Sequence, residues 1–205
     1  EFGNQVFEGI SSEAIIRIQE TSRGFDSFLD GIPVGYMDSV VNFLIENEVR
    51  YLLHDGAASV VAYTSNRRVD ITIPEEIEGL PVMSIGNECF ADSNFSSISL
   101  PSTIVSIGRG AFRNSGLLSI ELPKGLISIE EHAFQNSRIR EIALPESCTS
   151  LGMGAFQSSE ITSITIPESI TDLPDNTFNN CKYLETVDLP LSLRTMGQSA
   201  FAGSS

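Results

Sequence analysis

The sequence contains no tryptophan, only two histidines and only three cysteines in 205 residues. The cysteines, Cys89, Cys148 and Cys181, include no C-x-x-C pair, so the usual thiol signature of a metal or redox site is missing. Cations are scarce as well. Twelve Lys and Arg stand against 27 Asp and Glu, for a net charge of −15. A chain this acidic has no basic face to offer nucleic acid. No run of 18 apolar residues occurs, which excludes a spanning hydrophobic helix. Zincin, P-loop and nucleophile-elbow patterns are absent, and so is a D-x-D-x-D-G calcium loop. The opening Glu1-Phe2-Gly3 carries neither an initiating Met nor a leader pattern, which leaves export open. What remains is globular composition, 41% hydrophobic and 19% charged, enough to build a core.

That core is organised by repetition. Pro101, Pro123, Pro145, Pro167 and Pro190 recur at intervals of 22, 22, 22 and 23 residues. Phe90, Phe112, Phe134, Phe156, Phe178 and Phe201 recur at 22, 22, 22, 22 and 23. From Pro101 onward each Phe follows its Pro by 11 residues, so the two series share one phase. Further columns agree with them: Ile104, Leu126, Cys148, Ile170 and Leu193; Ile107, Ile129, Leu151, Leu173 and Met196; Ala111, Ala133, Ala155, Thr177 and Ala200. Pro74 opens a longer first turn whose excess falls at Glu78-Gly79-Leu80-Pro81, expected to be a loop.

Physically, Ser119-Ile120-Glu121-Leu122 alternates with period 2 and predicts a short strand closed by proline, which has no N–H for the ladder. A second extended piece, such as Val105-Ser106-Ile107, follows. Ala111-Phe112 is expected to begin a short helical or 3₁₀ turn with Phe plugging the interior. A unit of this size cannot bury its own apolar side, and stacking the units buries a continuous one; the pattern predicts a solenoid.

The spaced unit reads L-x-x-I-x-L-P-x-x-L-x-x-I-x-x-x-A-F-x-x-S/C, and Leu117-x-x-Ile120-x-Leu122 is a leucine-rich-repeat strand signature. Together with the Pro, the Ala-Phe pair and the small residue after it, the unit resembles the BspA-like leucine-rich repeats of bacterial and protozoan surface proteins. The usual Cys of that unit stands only at Cys181; Ser115, Ser137, Ser159 and Ser204 replace it elsewhere. With the helix-plus-β-hairpin N-terminal cap that residues 1–68 predict, the expected fold is an α+β repeat. The resemblance, over about residues 69–205, implies a right-handed leucine-rich-repeat solenoid. It also implies an extracellular or cell-surface location and contact with host matrix proteins or other cells.

Residues 1–68 do not repeat and are expected to form that cap module, with 69–205 as the solenoid of about six turns, the last incomplete. Helices are expected from Ser12 to about Thr21 and from Asp38 to about Asn47, with loop over Phe25–Tyr36. Val49–His54 and Ala58–Tyr63 around Asp55-Gly56 predict a hairpin. The chain stops at Ser205 partway through a repeat, so a continuing chain or a second copy stacked end to end is expected to cover the last layer.

The columns also locate the candidate site. The cysteines fall in three different buried columns and are expected to be inert free thiols. His54 sits at a hairpin tip and His132 in a turn, with no sign of the convergence catalysis needs. Gly108-Arg109-Gly110 and Gly152-Met153-Gly154 are one structural turn repeated, not phosphate loops. The outward positions before each proline give a candidate binding face: Ser97, Ser99, Ser119, Glu121, Glu141, Ser163, Thr165, Thr186 and Asp188. Solenoids bind through such faces, and this one suits a basic or hydroxyl-rich partner. Arg109, Arg113, Arg138 and Arg140 are expected to lie off it. The expected function is therefore a non-catalytic protein-binding or adhesion module, with no catalytic residue, cofactor or metal. The alternative is a spacer or targeting segment of a larger secreted protein, with any enzyme domain outside this chain.

Overall fold

The structure is a computed structural model that describes residues 16–18, 41–63 and 70–204. It begins with an antiparallel meander of β1 (Ile16–Ile18), β2 (Val41–Glu46), β3 (Val49–His54) and β4 (Ala57–Tyr63). Ile16 aligns with Phe43, Asn42 with Leu53, and Leu53 with Ala58. The β3–β4 hairpin is the expected one. The helical expectations are corrected: residues 16–18 and 41–46 are strands, and no helix occurs among the described residues. The reason is visible in Val41-Asn42-Phe43-Leu44-Ile45-Glu46, a short run rich in β-branched and aromatic residues, which periodicity cannot tell from a buried helix. Asn47 (φ 49°) and Glu48 (φ 66°) then reverse the chain in two residues, as Asp55 (φ 49°) and Gly56 (φ 78°) do one strand later. The remainder of both expected helices, and the loop expected over Phe25–Tyr36, lie outside the described residues.

From residue 70 onward the chain coils into stacked turns with three sides. The first side holds β5 (Ile71–Thr72) paired with β8 (Ile98–Ser99), a bridge from Ser119 to Glu141, and β12 (Ser163–Thr165) paired with β14 (Thr186–Asp188), all parallel. The second side holds β7 (Leu80–Ile85), β9 (Ser106–Ile107), β10 (Ser128–Ile129) and β11 (Ser150–Leu151) in one parallel run. β13 (Asp172–Leu173) pairs with β15 (Thr195–Met196) further along. β4 pairs in parallel with β7, Ala58 beside Val82, so the meander extends the second side as one sheet. The excess of the first turn is a hairpin rather than a loop. β6 (Glu76–Ile77) pairs antiparallel with β7 through Glu78 (φ 52°) and Gly79 (φ 76°), and Leu80-Pro81 are already strand.

The third side was expected to be helical or 3₁₀ and is neither. Its amides alternate. Ala111 N–H and Arg113 N–H donate within their own turn, to the carbonyls of Gly108 and Gly110 at 3.2 and 3.0 Å. Gly110, Phe112 and Asn114 donate instead to Glu131, Ala133 and Gln135 of the next turn, each at 2.8 Å. A helix would keep all of these bonds inside one segment. The alternation needs left-handed backbone two residues before and two after each Phe. Those positions hold Gly110 and Asn114, His132 and Asn136, and Asn176 and Asn180, with φ from 54° to 61°.

Inside, Phe90, Phe112, Phe134, Phe156 and Phe178 are fully buried and stack face to face with Phe201, centroids 5.2–5.4 Å apart and planes within 10°. Ala111, Ala133 and Ala155 lie beside them with no exposed surface. Thr177 fills the same column, its Oγ1 donating to the Pro174 carbonyl at 2.7 Å. At the last turn the inward columns lose cover: Met196 is exposed, and Leu193 and Phe201 are half-buried.

Candidate functional site

The first side carries all nine residues of the expected face. Ser99, Ser119, Glu121, Glu141, Ser163, Thr165, Thr186 and Asp188 are exposed, and Ser97 is half-buried. Their inward neighbours Ile98, Ile120, Ile142 and Ile164 are buried, which fixes the register. Cross-strand alignment puts Ser119 beside Glu141, Ser163 beside Thr186, and Thr165 beside Asp188. The hydroxyls bond the carboxylates along the stack: Ser97 Oγ donates to Asp70, and Thr165 Oγ1 donates to Asp188 Oδ2 at 3.3 Å.

The cations pair elsewhere. Arg138 and Arg140 both reach Glu160, at 3.7 and 3.1 Å, and Arg113 reaches Glu88 at 3.6 Å; Arg140 enters the first-side ladder one residue before Glu141, its amide donating to the Leu118 carbonyl at 3.1 Å. Glu121 and Glu141, on consecutive turns, therefore stand mid-face with no ion pair among the described residues. Such a surface can attract a cationic group or exchange hydrogen bonds with hydroxyls.

The remaining candidate chemistry is structural. Cys89, Cys148 and Cys181 are buried free thiols. Desolvation pushes all three thiols up, away from the reactive thiolate. Cys181 Sγ donates to the Phe156 carbonyl at 3.0 Å, the role Ser204 Oγ plays one turn later toward Phe178 at 2.6 Å. Ser115 and Ser137, buried in the same column, leave their hydroxyls without a hydrogen-bond partner, and Ser159 Oγ meets Cys181 Sγ at 3.6 Å. His54 bonds Asp55 at 2.9 Å at the hairpin tip, and His132 takes a left-handed turn position. No group of three or more His, Cys, Asp or Glu among the described residues is placed to hold a metal. Glu168 lies low for a glutamate because the Leu191 and Ser192 amides donate to its carboxylate, each at 3.1 Å; the Ser192 hydroxyl donates to the Glu168 backbone carbonyl at 2.7 Å.

A second surface was missed. Ser59, Ser84, Ser106, Ser128 and Ser150 align in register across five strands of the second side. From Ser84 to Ser150 its signal was legible, a Ser one residue before each inward Ile or Leu at the 22-residue interval. Beside Ser128 and Ser150 lies an open groove of about 370 Å³ bordered by Asn87, Arg109 and Glu131.

Parallel short strands on two sides, a ladder of turns on the third and one continuous apolar interior define a β-solenoid of the leucine-rich-repeat class. The chain belongs to the BspA type leucine rich repeat region family, which matches six copies over residues 83–205. Solved structures agree on the fold. A leucine-rich repeat protein of T. pallidum is similar over 76% of this chain and 86% of its own, with 26% identity and a TM-score of 0.58. The pneumococcal vaccine antigen PcpA is similar over 80% of this chain, with 22% identity and a TM-score of 0.55; this chain spans 48% of it. No curated protein matches. No helix among the described residues is long and apolar enough to cross a membrane.

Proposed function

We propose that this chain is a non-catalytic binding module of a cell-surface or secreted protein, and that it engages a protein partner, host matrix or another cell surface, through the first side of the solenoid. The observation that carries the reading is the outward row itself. Across consecutive turns it presents hydroxyls and the carboxylates Glu121, Glu141 and Asp188, with no cation among them. The partner that fits is basic or rich in hydroxyls. The location rests on membership of a family whose repeats resemble those of surface proteins.

The test is a binding screen of the purified chain over immobilised matrix proteins and glycans, with Glu121→Lys/Asp188→Lys as control. Both positions are exposed, so the double variant should keep its stability within about 0.5 kcal/mol. Saturable binding that disappears in the double variant is the expected result. Binding that survives charge reversal removes the first side as the site. Absence of binding to every surface tested would sink the module reading in favour of a spacer.

A further inference from the structure

We propose that Asn94 is the acceptor of an N-linked glycan. The proposal rests on the surface or secreted reading above, since glycan transfer occurs on exported chains. Among the eleven asparagines of the sequence, Asn94 alone begins an N-x-S/T triplet, Asn94-Phe95-Ser96.

The structure places this triplet where a glycan fits. Asn94 and Ser96 are exposed, in the irregular segment that leads from the turn side into β8. The Asn94 amide makes no hydrogen bond among the described residues. Its neighbours in the adjoining column are committed: Asn136 donates to Asn114 at 3.1 Å and Asn114 to Asp92 at 2.8 Å. In successive turns the Asn94 position is occupied by Gly116, Arg138, Glu160 and Tyr183. Arg138 and Tyr183 are exposed, so this column points away from the core. The turn that lies directly against Asn94 contributes Gly116. A Cβ added there would come within 3.2 Å of Asn94 Oδ1. The same Cβ would meet the Phe95 carbonyl oxygen at 3.1 Å, so the glycine lets the two turns approach closely at this point.

The ligand is an oligosaccharide delivered on a lipid diphosphate. Asn94 Nδ2 forms the bond to the first sugar's C1, the C1–O bond to the lipid diphosphate breaks, the diphosphate leaves as an anion, and the amide gives up one proton to the transferase. No oxidant or reductant is needed. The timing follows from Phe95. Its ring is fully buried edge-on against Phe90 and Phe112, at 5.5 and 6.4 Å. A transferase must draw the triplet into its own cleft, so transfer precedes the closure of this turn. The folded chain is a poor acceptor.

The experiment translates the full chain behind a secretory leader in the presence of transferase-bearing membrane vesicles. Protease protection scores entry. One glycosidase-sensitive mass increment is expected on the protected chain, lost in Asn94→Gln and Ser96→Ala and kept in Ser96→Thr. Purified folded chain incubated with the same transferase should gain less than a tenth as much. A protected wild-type chain without the increment, or an increment that survives Ser96→Ala, overturns the proposal. In the producing cell, the mass of the tryptic peptide 69–109 is read on chain recovered from the outer surface. Surface chain with an unmodified peptide overturns the glycan alone. Chain absent from the surface overturns the surface reading and the glycan with it.

Discussion

Removing one ring from the middle of the Phe stack tests the account of the core most directly. Phe134 has no exposed surface, and rings lie on both sides of it, Phe112 at 5.2 Å and Phe156 at 5.4 Å, almost parallel. Phe→Ala in a core costs about 3–5 kcal/mol, more where the surroundings cannot collapse. Here collapse is resisted by the backbone. Phe112 N–H is held by Ala133 O and Phe134 N–H by Ala155 O, each at 2.8 Å, so the layers cannot close without breaking these bonds. Phe134→Ala is therefore expected at the upper end, about 5 kcal/mol. Phe201 supplies the internal control. It has one ring neighbour, Phe178 at 5.2 Å, and is half-buried. Phe201→Ala should cost about 2 kcal/mol, in line with partial burial of one large side chain. Urea unfolding followed by circular dichroism reads both. A loss under about 1 kcal/mol at Phe134, or an equal loss at the two positions, would refute the nearest-neighbour reasoning.

Other consequences are sharper in sign than in size. Gly152→Ala should destabilise by about 3 kcal/mol, since its Cβ would land on the Glu131 nitrogen and Glu130 carbonyl carbon. Gly125→Ala meets nothing nearer than Ser102 O at 3.7 Å, and should raise stability by about 0.5 kcal/mol in the same denaturant assay. Ser158→Gly should raise the melting temperature, because Ser158 holds φ at 58° at a cost of about 1 kcal/mol. The hydrogen bonds from Leu191 and Ser192 hold the exposed Glu168 carboxyl below the ordinary glutamate range, so their contribution is complete above that range and lost as pH falls through the folded value. Leu191 and Ser192 amide resonances should shift together in strong acid, and Glu168→Gln should abolish that joint titration.

How much of this was legible in the sequence depends on whether a residue solves a problem that every turn shares. The Pro and Phe series were readable because each layer needs the same ladder stop and the same plug. The outward row followed from them by period 2, and Ile98, Ile120, Ile142 and Ile164 hold that register. The meander was misread because β2 is a short apolar run whose strand state is decided by its partner, Asn42 opposite Leu53, rather than by its own periodicity. The turn side was misread for a related reason. Whether the Phe112 amide bonds Gly108, as in a helix, or Ala133, as it does, is settled by the neighbouring turn. The left-handed residues Gly110, Asn114, Asn136 and Asn180 carried the hint. The partner is not legible at all, because outward positions on a sheet are free of packing constraints.

The alternation of amides on the turn side has a mechanical meaning. Bonds such as Phe112 N–H to Ala133 O tie one layer to the next, so they run along the length of the stack. A pull on the two ends would load them one layer at a time, as in a zipper, instead of shearing them all together. Each layer released would pay out 22 residues, about 75 Å of extended chain. The untouched layers would keep their outward rows intact.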